Sequence, residues 1–290
     1  MSSLEVLRTG PLCLVEDLGR PGRAGEGITV SGALDRRSLA QGNRLLGNMI
    51  GAPALEVLLG GLHVRPDQDA LVAVTGAWCP LTVDGADVPF GTAVPVRRGA
   101  VLALGRTERG ARSYLAVRGG FSPTGDFGGS WSRDTSSGIG PEPIGAGDRI
   151  PIGRQHAGRP LVAGVLPATQ PPGEVTLRLT PGPRPDALDA ADRWLLATKA
   201  GVISAESDRI GLRIKGFQLH GQTSDGASEA LPLGAVQAPP GGELIVFLAD
   251  HPTTGGYPVI GVVDLRDLDV LAQCLPGQHV RFSLRPVPRY

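Results

Sequence analysis

The chain has 290 residues, 41% hydrophobic and 19% charged, with 28 basic and 28 acidic side chains. Zero formal net charge removes the electrostatic case for nucleic acid or an anionic membrane surface, and no apolar window is long enough to span a bilayer. Cys13, Cys79 and Cys274 are odd in number and far apart, so they form neither a disulfide framework nor a CxxC site. The N-terminus carries Glu5 early and lacks a long apolar core, so it does not read as a signal peptide; the expectation is a reducing, cytoplasmic compartment. Length predicts two domains. Gly (43) and Pro (26) are numerous but scattered among short apolar runs, which marks the turns of a mainly β fold with a few helices.

Residues 4–10 and 12–16 suit two short strands, and Asp17 to Gly22 a turn that carries Arg20, with Arg23 just beyond. Ser31 is a capping-type serine, and Leu39, Leu45 and Leu46 have helical spacing, so a helix is predicted up to Gly47, with Asp35 and Asn43 on one solvated face. Short runs at 55–59, 71–75, 81–83, 94–96, 101–104 and 114–117 predict a sandwich or barrel, with a tight hairpin at Val83-Asp84-Gly85-Ala86. The Gly/Ser-rich stretch 121–143 reads as an ordered loop, because it carries Trp131 beside the ion-pairing types Arg133 and Asp134.

A Pro-rich linker over 167–173 separates an N-terminal β-rich domain, 1–166, from a C-terminal domain, 174–290. The latter opens with a strand at 175–180. A helix led by Asp186 and Asp189 follows, with Leu188, Ala191, Leu195 and Thr198 as its apolar stripe. Another helix starts at Asp264, with Leu265, Leu268, Leu271, Ala272 and Leu275 on one face and Pro276-Gly277 as its stop; a strand over 279–284 closes the chain. Phe90-Gly91 and Leu233-Gly234 are each followed eight residues on by a glycine and an apolar run, then by Tyr114 and Tyr257, an internal echo of two related β units.

The candidate site lies in Asp250-His-Pro-Thr-Thr-Gly-Gly-Tyr-Pro, between apolar runs at 244–248 and 259–263 that read as a hairpin. Gly255 and Gly256 expose backbone N–H groups beside Thr253, Thr254, Asp250 and Tyr257, a set that can hold an anion or small polar substrate. Equally, the glycines serve as positive-φ turn residues and the threonines as turn formers. Nearby in sequence are Arg209 and Arg213, matched to carboxylate or phosphate, the acid Glu229 and the amide Gln237; each alone also fits a surface salt bridge. Lys199 and Lys215 lack P-loop context, the five histidines show no metal-ligand spacing, and there is no G-x-S-x-G elbow.

Taken together, Glu16-Asp-Leu-Gly-Arg-Pro-Gly-Arg, Ser31-Gly-Ala-Leu-Asp, Ser207-Asp-Arg-Ile-Gly-Leu-Arg, Ser228-Glu to Gln237, the Asp250 loop and Leu271-Ala-Gln-Cys-Leu-Pro-Gly resemble the family of the 5-oxoprolinase C subunit. That family is also labelled allophanate hydrolase subunit 2 or biotin-dependent carboxyltransferase, and includes the antagonist of a sporulation kinase inhibitor. The resemblance covers nearly the whole chain. It implies two β-barrel-like units of cyclophilin type and an enzyme active only in complex with the companion B and A subunits of 5-oxoprolinase. With them it would use ATP, with Mg as counter-ion, to open 5-oxo-L-proline to L-glutamate.

By the same resemblance Asp250, Glu229 and Arg209 are catalytic. Arg213, Gln237, Thr253, Thr254, Gly255, Gly256, Tyr257, Asp17, Arg20 and Asn43 bind or orient substrate, the last three either lining the cleft or fixing its wall. Ala230, where glycine is usual, and Trp131 and Arg133 depart from the family's pattern. The alternatives are a carboxyltransferase-like protein using carboxybiotin on a urea-type substrate, and a non-enzymatic regulator of its companion.

Overall fold

The structure, a computed structural model, describes residues 2–125, 127–161, 173–184, 187–219, 228–240 and 243–285. Its contacts divide the chain into Met1–Arg20 with Ser31–Gln170, and Pro21–Val30 with Pro171–Tyr290. Residues 167–172 of the expected linker, and Asp186, lie outside the described residues. No helix among the described residues is long and apolar enough to cross a membrane.

The first unit runs β1 (Ser3–Arg8), β2 (Leu12–Glu16), α1 (Arg36–Leu45), β3 (Ala54–Leu58), β4 (His63–Pro66), β5 (Ala70–Trp78), β6 (Leu81–Val83), β7 (Ala86–Asp87), β8 (Ala93–Val96), β9 (Leu102–Leu104), β10 (Arg109–Val117) and β11 (Arg149–Pro151). Two sheets form, in the orders β11-β1-β4-β9-β6-β7 and β2-β3-β10-β5-β8. Their facing side chains, such as Val6, Val64 and Leu102 against Val57, Val74 and Leu115, make the main core. The second sheet's other face carries Ala54, Ala73, Tyr114 and Ala116 and packs on Leu39, Leu45 and Leu46, from α1 and its C-terminal end. Strands β3, β5 and β10 are therefore covered on both sides, which is why they read as continuous apolar runs rather than as alternation. The predicted hairpin is present: Val83 pairs with Ala86 across Asp84 (φ 51°) and Gly85 (φ 81°).

Three expectations for this unit change. Asp35, not Ser31, caps α1: its Oδ1 accepts the Ser38 N–H at 2.9 Å, while Ser31 sits upstream at φ 52°. The face bearing Asp35 and Asn43 is buried, not solvated, both residues having 0% exposure. Arg133 pairs with Glu142 at 3.0 Å, and Asp134 accepts the Ser136 and Ser137 N–H groups.

Beneath α1, Glu56 and Tyr114 are cross-strand partners. Glu56 Oε2 accepts the Tyr114 hydroxyl at 2.7 Å and the Leu34 N–H at 3.0 Å, and the Tyr114 oxygen accepts the Asp35 N–H at 2.8 Å. This chain of bonds ties the start of α1 to the sheet.

The second unit runs β12 (Glu174–Pro181), α2 (Ala190–Thr198), β13 (Gly201–Ile203), β14 (Gly211–Lys215), β15 (Glu229–Ala230), β16 (Ala235–Gln237), β17 (Leu244–Phe247), β18 (Thr254–Gly255), β19 (Val259–Val263), α3 (Leu265–Leu271) and β20 (His279–Leu284). Seven strands close a barrel in the order β12-β19-β16-β17-β14-β13-β20, with β20 returning parallel to β12. Asp189 and Asp264 cap α2 and α3. On α2 the buried residues are Asp192 and Leu196, so Ala191 and Thr198 of the expected stripe face solvent. On α3, Leu265 stays 62% exposed while Leu268 and Leu271 are buried.

Two sequence patterns are resolved differently. The runs flanking the Asp250 loop are not a hairpin, because β16 lies between β17 and β19 and pairs with both. The internal echo does not extend to pairing: β16 and β17 are neighbours, whereas β8 and β9 belong to different sheets.

Burial pushes the Cys13 thiol up to about 12 and the Cys79 thiol up to about 11, from an ordinary 9.0. Burial first, then the Glu56 and Asp35 charges, hold the Tyr114 phenol well above 10.0. A group whose folded value is raised contributes stability that is intact below its unfolded value and is lost as pH rises through the interval. Urea-unfolding midpoints should therefore hold level to about pH 8.5 and fall above it. Cys13→Ala and Cys79→Ala should each flatten the first part of that fall, and Tyr114→Phe the part above pH 10.

Candidate functional site

Strand β17 ends at Phe247, and the chain then has to cross β16 to reach β19. Over this crossing it is held at four places. First, the backbone is stitched to the turn before β14: Leu248 N–H donates to Ile210 O at 2.9 Å and Asp250 N–H to Arg209 O at 3.1 Å. Second, Arg209 reaches back with a two-pronged grip, Nε to Asp250 Oδ2 at 2.9 Å and Nη2 to Oδ1 at 3.2 Å. Both side chains are buried, 3% and 0% exposed. Third, β18 pairs with β15, Glu229 opposite Gly255 and Ala230 opposite Thr254, and Leu231 N–H donates to Thr253 O at 3.0 Å. Fourth, Gln237 Nε2 donates to the Tyr257 carbonyl at 2.6 Å.

The side chains expected to act are thereby sorted. Arg209 and Asp250 face each other, closed off from solvent, so they brace the loop rather than project from it. Gln237 is spent on loop backbone. Glu229 pairs with Arg184 and accepts the Val259 N–H at 3.3 Å, its side chain 17% exposed. Arg213 is not brought to the loop: it reaches Glu243, before β17, at 3.7 Å, while Asp250 follows that strand. What the loop offers to solvent is Pro252, Thr254 and Gly256, all exposed, with Thr253, Gly255 and Tyr257 half-buried. His251 is buried, its Nδ1 2.7 Å from Pro252 O.

Neither Gly255 nor Gly256 has positive φ, so turn geometry does not explain them. A methyl at Gly255 would lie 2.8 Å from Gln237 Nε2 and 2.9 Å from Leu231 Cδ1, whereas nothing lies within 4 Å of one at Gly256. The first glycine is needed for close packing, and the second leaves open space above exposed backbone.

The three N-terminal candidates belong to the first unit. Asp17 accepts the Gly19 N–H (2.7 Å), the Ser130 and Ser132 hydroxyls (2.6 Å each) and the Trp131 N–H (2.8 Å). Arg20 donates to the Phe127 carbonyl at 3.1 Å and to the Ser132 carbonyl. Asn43 donates to the Ile50 and Ala52 carbonyls at 3.1 and 2.7 Å. Within the first unit all three side chains are engaged in holding neighbouring loops. Trp131 joins them: its N–H bonds Asp17 and its indole bonds Pro123 O at 2.9 Å, so the unusual residue is part of the same knot.

Sequence reasoning missed Arg184, Ser130 and Ser132. Ser130 and Ser132 alternate around Trp131 as hydroxyls in a Gly/Ser loop, a visible signal; Arg184 has none, since only the fold brings it to Glu229, 45 residues on.

A carboxyltransferase domain family model, spanning subdomains A and B, matches residues 26–284. The chain belongs to that family. Within it, the C subunit of 5-oxoprolinase from Escherichia coli (strain K12) is 37% identical over 284 residues, 96% of this chain and 90% of the relative. Its Haemophilus influenzae counterpart is 34% identical over 97% of this chain and 90% of the relative. Urea amidolyase of Saccharomyces cerevisiae is 26% identical over 97% of this chain but only 16% of its own length. The crystal structure of TTHA0988 superposes with a TM-score of 0.88 at 34% identity, covering 98% of this chain and 56% of that one. Urea carboxylase of Kluyveromyces lactis gives 0.86 at 25%, covering 97% and 27%. The carboxyltransferase-domain fold is thus shared along nearly the whole chain, which spans only about half of TTHA0988.

Two results should follow from this geometry. Arg209→Ala or Asp250→Ala, each stranding a buried charge, should cost about 3–5 kcal/mol in urea unfolding, and the apolar double replacement Arg209→Met/Asp250→Leu markedly less than either. Gly255→Ala should cost about 1–3 kcal/mol through lost packing, and Gly256→Ala no more than about 0.5 kcal/mol.

Proposed function

We propose that this carboxyltransferase-domain protein is one component of an ATP-dependent 5-oxoprolinase, active only with the companion B and A subunits, that opens 5-oxo-L-proline to L-glutamate. The observation that carries the reading is the 37% identity with the Escherichia coli 5-oxoprolinase protein over 90% of that relative's length. ATP, when bound, would supply the phosphoryl group that makes the unreactive lactam carbonyl open to attack.

This chain's own residues supply position. The Thr253–Tyr257 segment, held by Arg209–Asp250 and by β15, carries the exposed Thr254 hydroxyl, half-buried Thr253 and Tyr257, and open backbone at Gly256. Such groups suit a lactam N–H and C=O or phosphate oxygens. Glu229 and Arg184, partly exposed and paired, form the charged edge of the same segment. Because the segment is fixed before any ligand arrives, little ordering cost remains at binding. Magnesium, as the nucleotide's counter-ion, would come with its phosphates.

A second reading, a urea-type carboxyltransferase using carboxybiotin, is favoured by the family model and by the urea amidolyase relatives. Its lower identity over a small part of those proteins ranks it second.

The test is glutamate release from 5-oxo-L-proline and ATP by this chain assembled with its companions. The wild type should turn over. Tyr257→Phe and Thr254→Val, which leave the braces intact, should each lower kcat/KM about 10- to 100-fold without loss of assembly. A fully assembled complex that releases no glutamate would reject this reading and move carboxyl transfer from carboxybiotin to first place.

A further inference from the structure

A cleft of about 530 Å³ opens in the first unit, with Leu71, Val117, Arg118, Ile152, Arg154 and His156 on its lining. None of these residues belongs to the loop described above. Half-buried Leu71 and Ile152 give the lining its apolar part, while Val117, 1% exposed, belongs to the core behind it. The rim is basic. Arg118 is oriented by donating to the Leu46 carbonyl and, at 3.2 Å, to Gly158 O. Arg154 and His156 are exposed, and among the described residues neither side chain has a hydrogen-bonding or ion-pair partner.

The segment bearing these two is nonetheless rigidly placed. Ile152 N–H donates to Ser2 O, Gly153 N–H to Gly120 O and Gln155 N–H to Gly119 O, each at 2.8 Å. The approach is so close that a methyl on Gly119, at φ 98°, would fall 2.3 Å from the Gly153 oxygen. Two cationic or donor side chains without partners, carried on a fixed backbone beside an oriented arginine and next to half-buried Leu71 and Ile152, can receive an anion with an apolar body. The one acid on the lining, Asp69, already accepts the Arg98 N–H at 2.8 Å. Its charge disfavours a polyanion and selects for a single negative head.

We propose that this cleft binds a small organic monocarboxylate, its head on the Arg118–Arg154–His156 rim and its hydrocarbon body against Leu71 and Ile152. The site is separate from the loop and does not depend on the function proposed for it. The probe is hexanoate, titrated calorimetrically into the full chain, with acetate lacking the body and hexylamine lacking the anion. Hexanoate should saturate one site, and acetate and hexylamine should not. Arg154→Ala and His156→Ala, exposed changes that leave the melting temperature unmoved, should each weaken hexanoate about tenfold. Tyr257→Phe should have no effect. Absence of saturation at millimolar hexanoate, equal binding of hexylamine, or unchanged affinity in both rim variants would overturn the proposal. So would a loss of binding in Tyr257→Phe with none in Arg154→Ala, which would move the ligand to the loop.

Discussion

Water gives a carboxylate several hydrogen bonds, and a fold that shuts one away has to replace them from its own donors. Three carboxylates set that constraint here. Asp250 is answered by a guanidinium 41 residues away in sequence, Asp17 by two hydroxyls and an N–H more than a hundred residues on, and Glu56 by a phenol 58 residues on. Each acid gathers chain segments that local propensity would never bring together. The Asp250 loop, the loop around Trp131 and the start of α1 are all positioned by such a demand.

For the candidate site the effect is to separate holding from contacting. A two-pronged arginine–carboxylate pair has strict geometry, and burial makes a mismatch expensive. The pair therefore fixes where the chain leaves β17, and the Glu229–Ala230 ribbon and Gln237 fix the far end. Between these supports the loop crosses β16, whose neighbours on both sides already satisfy its backbone. The crossing segment is consequently free to turn side chains outward, and Thr254 is exposed there.

What the sequence made legible follows the range of the interactions involved. Strand positions, the Asp84-Gly85 hairpin and the caps at Asp189 and Asp264 were readable because turn and capping chemistry acts within a few residues. The candidate loop stood out too, since its glycines, threonines and tyrosine are adjacent. Roles did not. Asp250 and Arg209 look like reactive groups when read along the chain, and only the barrel shows them spending their charges on each other. Asp35 and Asn43 look solvated on a helix of this polarity, but the sheet face they meet carries Tyr114, Glu56 and backbone carbonyls. Strand partners were equally hidden: nothing in 244–263 reveals that β16 inserts between its two runs, because pairing register is decided by residues elsewhere.

The same separation bears on why such a chain would work only in company. Of the groups that reach solvent on the loop, a threonine hydroxyl and backbone would suit orienting a polar substrate better than transferring its protons. Glu229, the acid nearest them along the β15–β18 ribbon, has its charge engaged by Arg184. Under the proposed function, a segment of this composition would contribute binding and alignment, which are worth most when the reacting groups come from elsewhere and need only be met in register. On that reading the rigidity of its supports would be the chain's chemical contribution: it would reduce the entropy lost in the encounter rather than the barrier to proton transfer.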